Sequence, residues 1–261
     1  MGCCRGGVNF VWVAVDYFAV FEKEVMDNVA KVADIATEEA LEKARLSLQN
    51  LDYIVSTGYG RSAVSCANKV SSEIICHASG VYFLMKEARI IIDIGTQDSK
   101  VIKIDENGRI INFAMNDKCA AGTGRFLEVM ASALGLQLDE MGAISLSSKN
   151  PCSISSTCTV FAESEVVTLR AHGRSVKDLV AGIHKAIATR VAIMGAEIRF
   201  DKEIVFTGGV AKNSGVKKAL EDVISMTILT PVEPQITGAL GAALIGKAEI
   251  GSLRAKNGVI N

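Results

Sequence analysis

The sequence predicts an α/β protein in which strands and helices alternate in layers. Three features carry that expectation. Short apolar strands, most ending in a glycine-bearing loop, alternate with helical repeats along the chain. One repeat, starting at Ser175, is long and amphipathic. An Asn107-Gly108 step between two alternating segments marks a hairpin, for which that dipeptide is the strongest short-range signal.

Taken in order, Val25 to Leu48 reads as a helix, with Val25, Val29, Val32, Ile35, Ala36 and Ala40 on one side and charges opposite. Tyr53-Ile54-Val55 is a short strand running into the loop Ser56-Thr57-Gly58-Tyr59-Gly60-Arg61. Ile90 to Asp93 is a buried strand that ends in Asp93-Ile94-Gly95-Thr96-Gln97-Asp98. The hairpin follows, with arms Lys100 to Asp105 and Arg109 to Phe113. Two helices come next. One carries Phe126, Leu127, Met130, Ala131 and Leu134; the other carries Phe161, Val166 and Val167. In the Ser175 helix, Leu179, Val180, Ile183, Ala186, Ile187, Val191 and Met194 face inward. The strand Glu203 to Phe206, the loop Thr207-Gly208-Gly209-Val210 and a helix from about Ser214 complete this pattern. Thr237 to Leu244 closes the chain as a helix of small residues suited to close packing.

Composition bounds the function. Lys+Arg total 28 against 29 Asp+Glu, so nothing pulls the chain in bulk toward nucleic acid or anionic lipid. With 49% hydrophobic residues in 261, there is ample material for a core of one large or two smaller domains. The apolar run Val8 to Phe21 is interrupted by Asp16 and is shorter than the roughly 20 residues a membrane span needs. It lacks a cleavage pattern, and the expected location is the cytoplasm. Disulfides are not expected there, so metal binding and burial compete to explain seven cysteines, none in a Cys-x-x-Cys pair. Cys66 and Cys76 sit among apolar or small residues and read as packing. His77, His172 and His184 lack ligand spacing.

Cys119 and Cys158 differ from the rest. Each stands at the mouth of a predicted helix, in Asn116-Asp117-Lys118-Cys119-Ala120-Ala121-Gly122-Thr123-Gly124 and Ser155-Ser156-Thr157-Cys158-Thr159-Val160-Phe161. The positive end of a helix favours a ligating thiolate. Two thiolates cannot complete a four-thiolate site. If both bind metal, the simplest completion is a second copy of the chain across a two-fold axis. Cys152 reads as a loop thiol beside them.

Two loops suit a nucleotide. In Asp93 to Asp98, glycine lets the backbone approach a phosphate, and carboxylates can hold a hydrated magnesium ion. Thr207 to Val210 joins a strand to a helix, where backbone N–H groups can face a ligand. Singly, each is an ordinary turn; their order along the chain gives the pair its weight.

At these residues the sequence resembles the ATPase activators of 2-hydroxyacyl-CoA dehydratases and the related ATPase subunits of benzoyl-CoA reductase. The resemblance runs from about Thr57 to about Gly246, through Thr57 to Arg61, Asp93 to Asp98, Asn116 to Arg125, Ser155 to Glu165, Thr207 to Val210 and Gly238 to Leu244. It implies the actin, Hsp70 and sugar-kinase ATPase fold, with two related α/β domains around a nucleotide cleft. Residues 1–90 would form one, joined by the C-terminal helix 237–261, and 91–236 the other with the cluster-binding helices. It implies a homodimer holding one [4Fe-4S] cluster, with Cys119 and Cys158 as the two ligands from each subunit. Asp93, Gln97 and Asp98 would face phosphate and Mg²⁺, beside Gly95 and Thr96. Gly208, Gly209, Ser214 and Gln235 would hold the adenosine side of ATP. Hydrolysis would change the angle between the cluster-bearing helices. A low-potential electron from ferredoxin or flavodoxin would then pass to a partner dehydratase or reductase.

The chain departs from the family in one respect. Members open with an Asp-x-Gly-Ser/Thr phosphate loop, and residues 1–24 contain none; Asp16 is followed by Tyr17-Phe18. The departure reads either as a truncated or misread N-terminus or as a paralogue with weakened hydrolysis. A non-hydrolysing cluster scaffold and a kinase of the same superfold are the alternatives to an activator.

Overall fold

A computed structural model describes residues 29–58, 60–155, 158–200 and 202–256. The run Val8 to Phe21, the predicted helix start at Val25, the departure within residues 1–24 and the cysteines Cys3 and Cys4 lie outside the described residues. Along the chain come α1 (Val29–Ala44), β1 (Val55–Ser56), β2 (Lys69–Val70), α2 (Glu73–Leu84), β3 (Ile90–Ile94), β4 (Ser99–Ile104) and β5 (Ile110–Asn116). They are followed by α3 (Gly124–Leu134), α4 (Met141–Leu146), α5 (Thr159–Ala171), α6 (Val176–Met194), β6 (Ile204–Thr207), α7 (Ser214–Ile224), β7 (Ile228–Leu229) and α8 (Thr237–Lys256). Two compact units result. One takes the described residues up to Lys86 and those from Gln235 on; the other is Glu87–Pro234.

In the first unit, β1 and β2 pair in parallel, with Val55 opposite Lys69. Helices α2 and α8 pack closely because their contact is lined with small residues. A Cβ on Gly241 would collide with the backbone of Cys76. That burial pushes the Cys76 thiol up from its ordinary value. Arg61 donates both to the Gly58 carbonyl at 2.9 Å and to Glu73 at 2.7 Å, tying the glycine-rich loop to the start of α2.

The second unit is a five-stranded sheet in the order β5-β4-β3-β6-β7. Strand β3 is its hub, antiparallel to β4 on one side and parallel to β6 on the other. All five of its residues are buried, as expected of a strand covered on both faces. The hairpin β4–β5 turns at Gly108, whose φ is 77°. Asp105 stabilises the turn by accepting the backbone N–H groups of Asn107 and Arg109, each at 2.8 Å. Those bonds, Arg109 foremost, hold its carboxyl below the usual range. Helix α6 packs against α4 and α7, and α3 against α5. Ile92, Phe206, Phe126, Ile183, Ile187 and Val216 belong to one continuous core. No helix among the described residues is long and apolar enough to cross a membrane.

Candidate functional site

The parallel strands β3 and β6 both end at one edge of the sheet, where open α/β sheets receive their ligands. Here the chain leaves β3 through Gly95 to Asp98 and leaves β6 through Gly208. The Gly95 N–H donates to the Asp98 carbonyl at 3.0 Å, closing the tight turn before β4. Gly208 has φ 86° and ψ 174°, a region essentially reserved for glycine, and a Cβ there would run into the backbone of Ile94. The two predicted loops are therefore in direct contact. Gly209 opens a short 3-10 turn, Gly209–Lys212.

The electrostatic centre of this edge is a group that sequence reasoning missed. Lys100, with only 3% of its side chain exposed, puts Nζ 2.7 Å from Asp98 Oδ1 and 3.4 Å from Asp93 Oδ2. Asp93 also accepts the Thr207 hydroxyl on Oδ1 at 2.8 Å. Buried charges persist when paired and hydrogen-bonded, and these three are. The signal was present in outline: hairpin register sets Asp93 directly opposite Lys100. What the sequence did not show is that Asp98, two residues back, turns its carboxylate onto the same ammonium.

Ser214 is the first residue of α7, and Asn213 before it is the cap. Its Oδ1 accepts the N–H groups of Gly215 and Val216 at 3.0 and 3.1 Å. Those helix-end donors are satisfied within the chain. Behind the cap lies a buried histidine. His184 Nδ1 is 2.9 Å from Ser145 Oγ, and that hydroxyl donates to the Gly142 carbonyl. Nδ1 therefore carries the proton, and Nε2 is left to accept from the Asn213 amide at 3.5 Å. Burial lowers the histidine pKa to about 4, so the ring is neutral. Gln235 belongs to the other unit.

The two cysteine loops differ in build. Cys158 is the N-cap of α5, with its carbonyl accepting the Ala162 N–H at 3.0 Å. Cys119 is not at a helix start. Helix α3 begins at Gly124 with Thr123 as its N-cap, and a tight loop intervenes. Asn116 brackets that loop: its amide donates to the carbonyls of Cys119 and Ala121, and its Oδ1 accepts the Cys119 N–H. The predicted helix mouth was misplaced because Cys119-Ala120-Ala121 has helical composition but Gly122 adopts φ 89° and ends any run. Lys118 is exposed and pairs with Asp117; Arg125 pairs with Glu128. Cys152 lies in the loop between α4 and α5, as expected, with its side chain buried in the core.

One connection joins these parts. The Gly124 N–H donates to the Gly95 carbonyl and the Arg125 N–H to the Thr96 carbonyl, both at 2.8 Å. The first turn of α3 is thus bonded to the loop between β3 and β4.

Both thiols are half-exposed and free of disulfides. Among the described residues, no three His, Cys, Asp or Glu side chains gather into a metal site. The Thr159 hydroxyl, next to Cys158, is buried with no hydrogen-bond partner among the described residues.

Comparison with known proteins gives a consistent result. Residues 5–246 match the BadF/BadG/BcrA/BcrD ATPase family. The chain is 51% identical over 207 residues to a 2-hydroxyisocaproyl-CoA dehydratase activator of Clostridioides difficile, covering 79% of this chain and 78% of that protein. It is 49% identical over 209 residues to an activator of lactoyl-CoA dehydratase from Anaerotignum propionicum, covering 80% and 81%. The solved structure of the 2-hydroxyisocaproyl-CoA dehydratase activator from Clostridium difficile with bound ADPNP superposes with a TM-score of 0.82 at 48% identity. That superposition covers 87% of this chain and 84% of the other. The fold is that of the actin-like ATPases.

Proposed function

The chain belongs to the BadF/BadG/BcrA/BcrD ATPase family, and from that premise we propose that it is an ATP-dependent activator which passes a low-potential electron to an iron-sulfur dehydratase or reductase. The observation that carries the reading is the pair of backbone hydrogen bonds from Gly124 and Arg125 to Gly95 and Thr96. A phosphate settling on the loop Asp93 to Asp98 would displace the carbonyls to which α3 is bonded. The helix that follows Cys119 would shift with them, and α5 with Cys158 packs against that helix. The relative solved with bound ADPNP supports nucleotide binding as such. The candidate contacts on this chain are Gly95, Thr96, Gln97, Gly208, Gly209 and Ser214, with Gln235 a candidate in its own unit.

The donor set suits a cluster shared between subunits. Two half-exposed thiols supply half of a four-thiolate set, and a second copy of the chain supplies the other half. The Thr159 hydroxyl, without a partner among the described residues, is a donor that a sulfur acceptor would satisfy. When bound, a [4Fe-4S] cluster would supply a one-electron carrier whose potential responds to nearby dipoles and exposure. Asp93 and Asp98 are the hard oxygen ligands available for Mg²⁺, and ferredoxin or flavodoxin is the donor class such a carrier requires.

Anaerobic purification with iron, sulfide and ATPase measured on one sample tests this. About four iron per two chains together with ATP turnover is the expected result. The same iron without turnover would favour a non-hydrolysing cluster scaffold. Turnover with a sugar or acyl acceptor and no iron would establish the kinase reading and overturn ours. Cys119→Ala and Cys158→Ala should each lose the iron, while Cys152→Ala keeps it.

A further inference from the structure

Lys100 is a buried cation lying where the proposed function wants a divalent metal. Its ammonium touches both carboxylates of the loop, and Thr207 takes the other oxygen of Asp93. Among the described residues, the two carboxylates and one ammonium that meet here sum to a net charge of −1. Adding a bare divalent cation to the same pair would turn that into +1 in a place with almost no water, with like charges a few ångströms apart. A divalent cation arriving on a polyphosphate brings its own negative charge, and the ammonium then has phosphate oxygens to turn toward.

We propose that Lys100 is a resident counter-cation that closes the Asp93–Asp98 pair to a free divalent metal and yields it to the metal complex of a nucleoside polyphosphate. The inference rests on reading Asp93 to Asp98 as the phosphate loop. It makes Lys100 a positioning residue that sets the order of loading: the metal enters with the nucleotide, never before it. Lysine suits this use, being a compact point charge on a flexible stem that can move a few ångströms between partners.

The test titrates the full chain with Mn²⁺ and counts free ion by its paramagnetic resonance, with and without a non-hydrolysable ATP analogue whose own binding is followed by calorimetry. Wild type should bind Mn²⁺ weakly alone and at least about tenfold more tightly with the analogue. Lys100→Met should gain at least about tenfold in Mn²⁺ affinity without nucleotide and lose nucleotide affinity. Lys100→Arg, which keeps the charge, should exclude Mn²⁺ as wild type does. Mn²⁺ bound by wild type equally well with and without bound analogue overturns the proposal, whether or not Lys100→Met folds. So does a folded Lys100→Met whose Mn²⁺ affinity is unchanged. Failure of any nucleotide to bind defeats the phosphate-loop reading instead, and the Mn²⁺ affinity of Lys100→Met relative to wild type then decides the role of the lysine alone.

Discussion

At Thr207 and Gly208, adjacent residues do different kinds of work. Thr207→Val keeps the shape of the side chain but leaves Asp93 Oδ1 without its hydroxyl donor. The expected loss is about 1–3 kcal/mol, read as a drop in the urea midpoint. Gly208→Ala should cost at least about 2 kcal/mol, since the backbone angle is strained for any side chain and the added carbon meets Ile94. Equal stability of wild type and Gly208→Ala in the same urea titration would mean the loop relaxes freely. The glycine was legible in the sequence as a strand-end turn, and Cys158 as the start of a helix, which Cys119 is not. Lys100 was not, because a lysine at a strand start ordinarily points to solvent. Its burial depends on two carboxylates converging through the turn.

Elements respond as bodies. Gly124→Ala should strengthen α3 itself, alanine being the better helix former by about 1 kcal/mol. Yet its Cβ would stand 3.1 Å from the Gly95 carbonyl oxygen and 3.1 Å from Thr96 Cα. The expected outcome is a folded protein in which adding an ATP analogue no longer changes hydrogen exchange in residues 116–127. An undiminished response would break the proposed link. Where α4, α6 and α7 meet, His184 makes stability depend on pH. The unfolded imidazole takes up its proton near 6.5 and the folded one at about 4, so the unfolded chain binds the extra proton between those values. The contribution is whole above pH 6.5 and drains away as pH falls toward 4, on the order of 3 kcal/mol in all. Urea midpoints should therefore fall between pH 7 and pH 5 in wild type and much less in His184→Asn. Among the elements, the hairpin was evident from Asn107-Gly108, and α6 from its apolar spacing with Ser175 as cap. Helix α2 left no periodic trace. It is apolar almost all round, burying Cys76, Ala78 and Val81 while exposing Ile75 and Phe83.

For the molecule as a whole, a cluster shared by two copies would make iron part of the assembly. Chelation under anaerobic conditions should lower the mass seen by sedimentation at micromolar protein, because whatever binds only the assembled form stabilises it. An unchanged mass would show that protein contacts alone hold the copies together. Val160 and Phe161, the latter 70% exposed just after Cys158, are the apolar side chains such an assembly could cover. The alternation that predicted an α/β fold was legible; the strand order was not, since nothing local shows that β3 takes β6 as its second neighbour. That pairing also orders events in time. The hairpin β3–β4 closes a few residues after it is made, whereas Asp93 and Thr207 meet across 114 residues. Closing so long a loop costs about 4 kcal/mol of chain entropy before any contact repays it. A chain growing from the ribosome has therefore made both cysteine segments before β6 emerges to complete the centre of the sheet. Iron offered during synthesis would meet those thiols on an incomplete sheet, so a cluster of the proposed kind would be assembled only once the chain is finished.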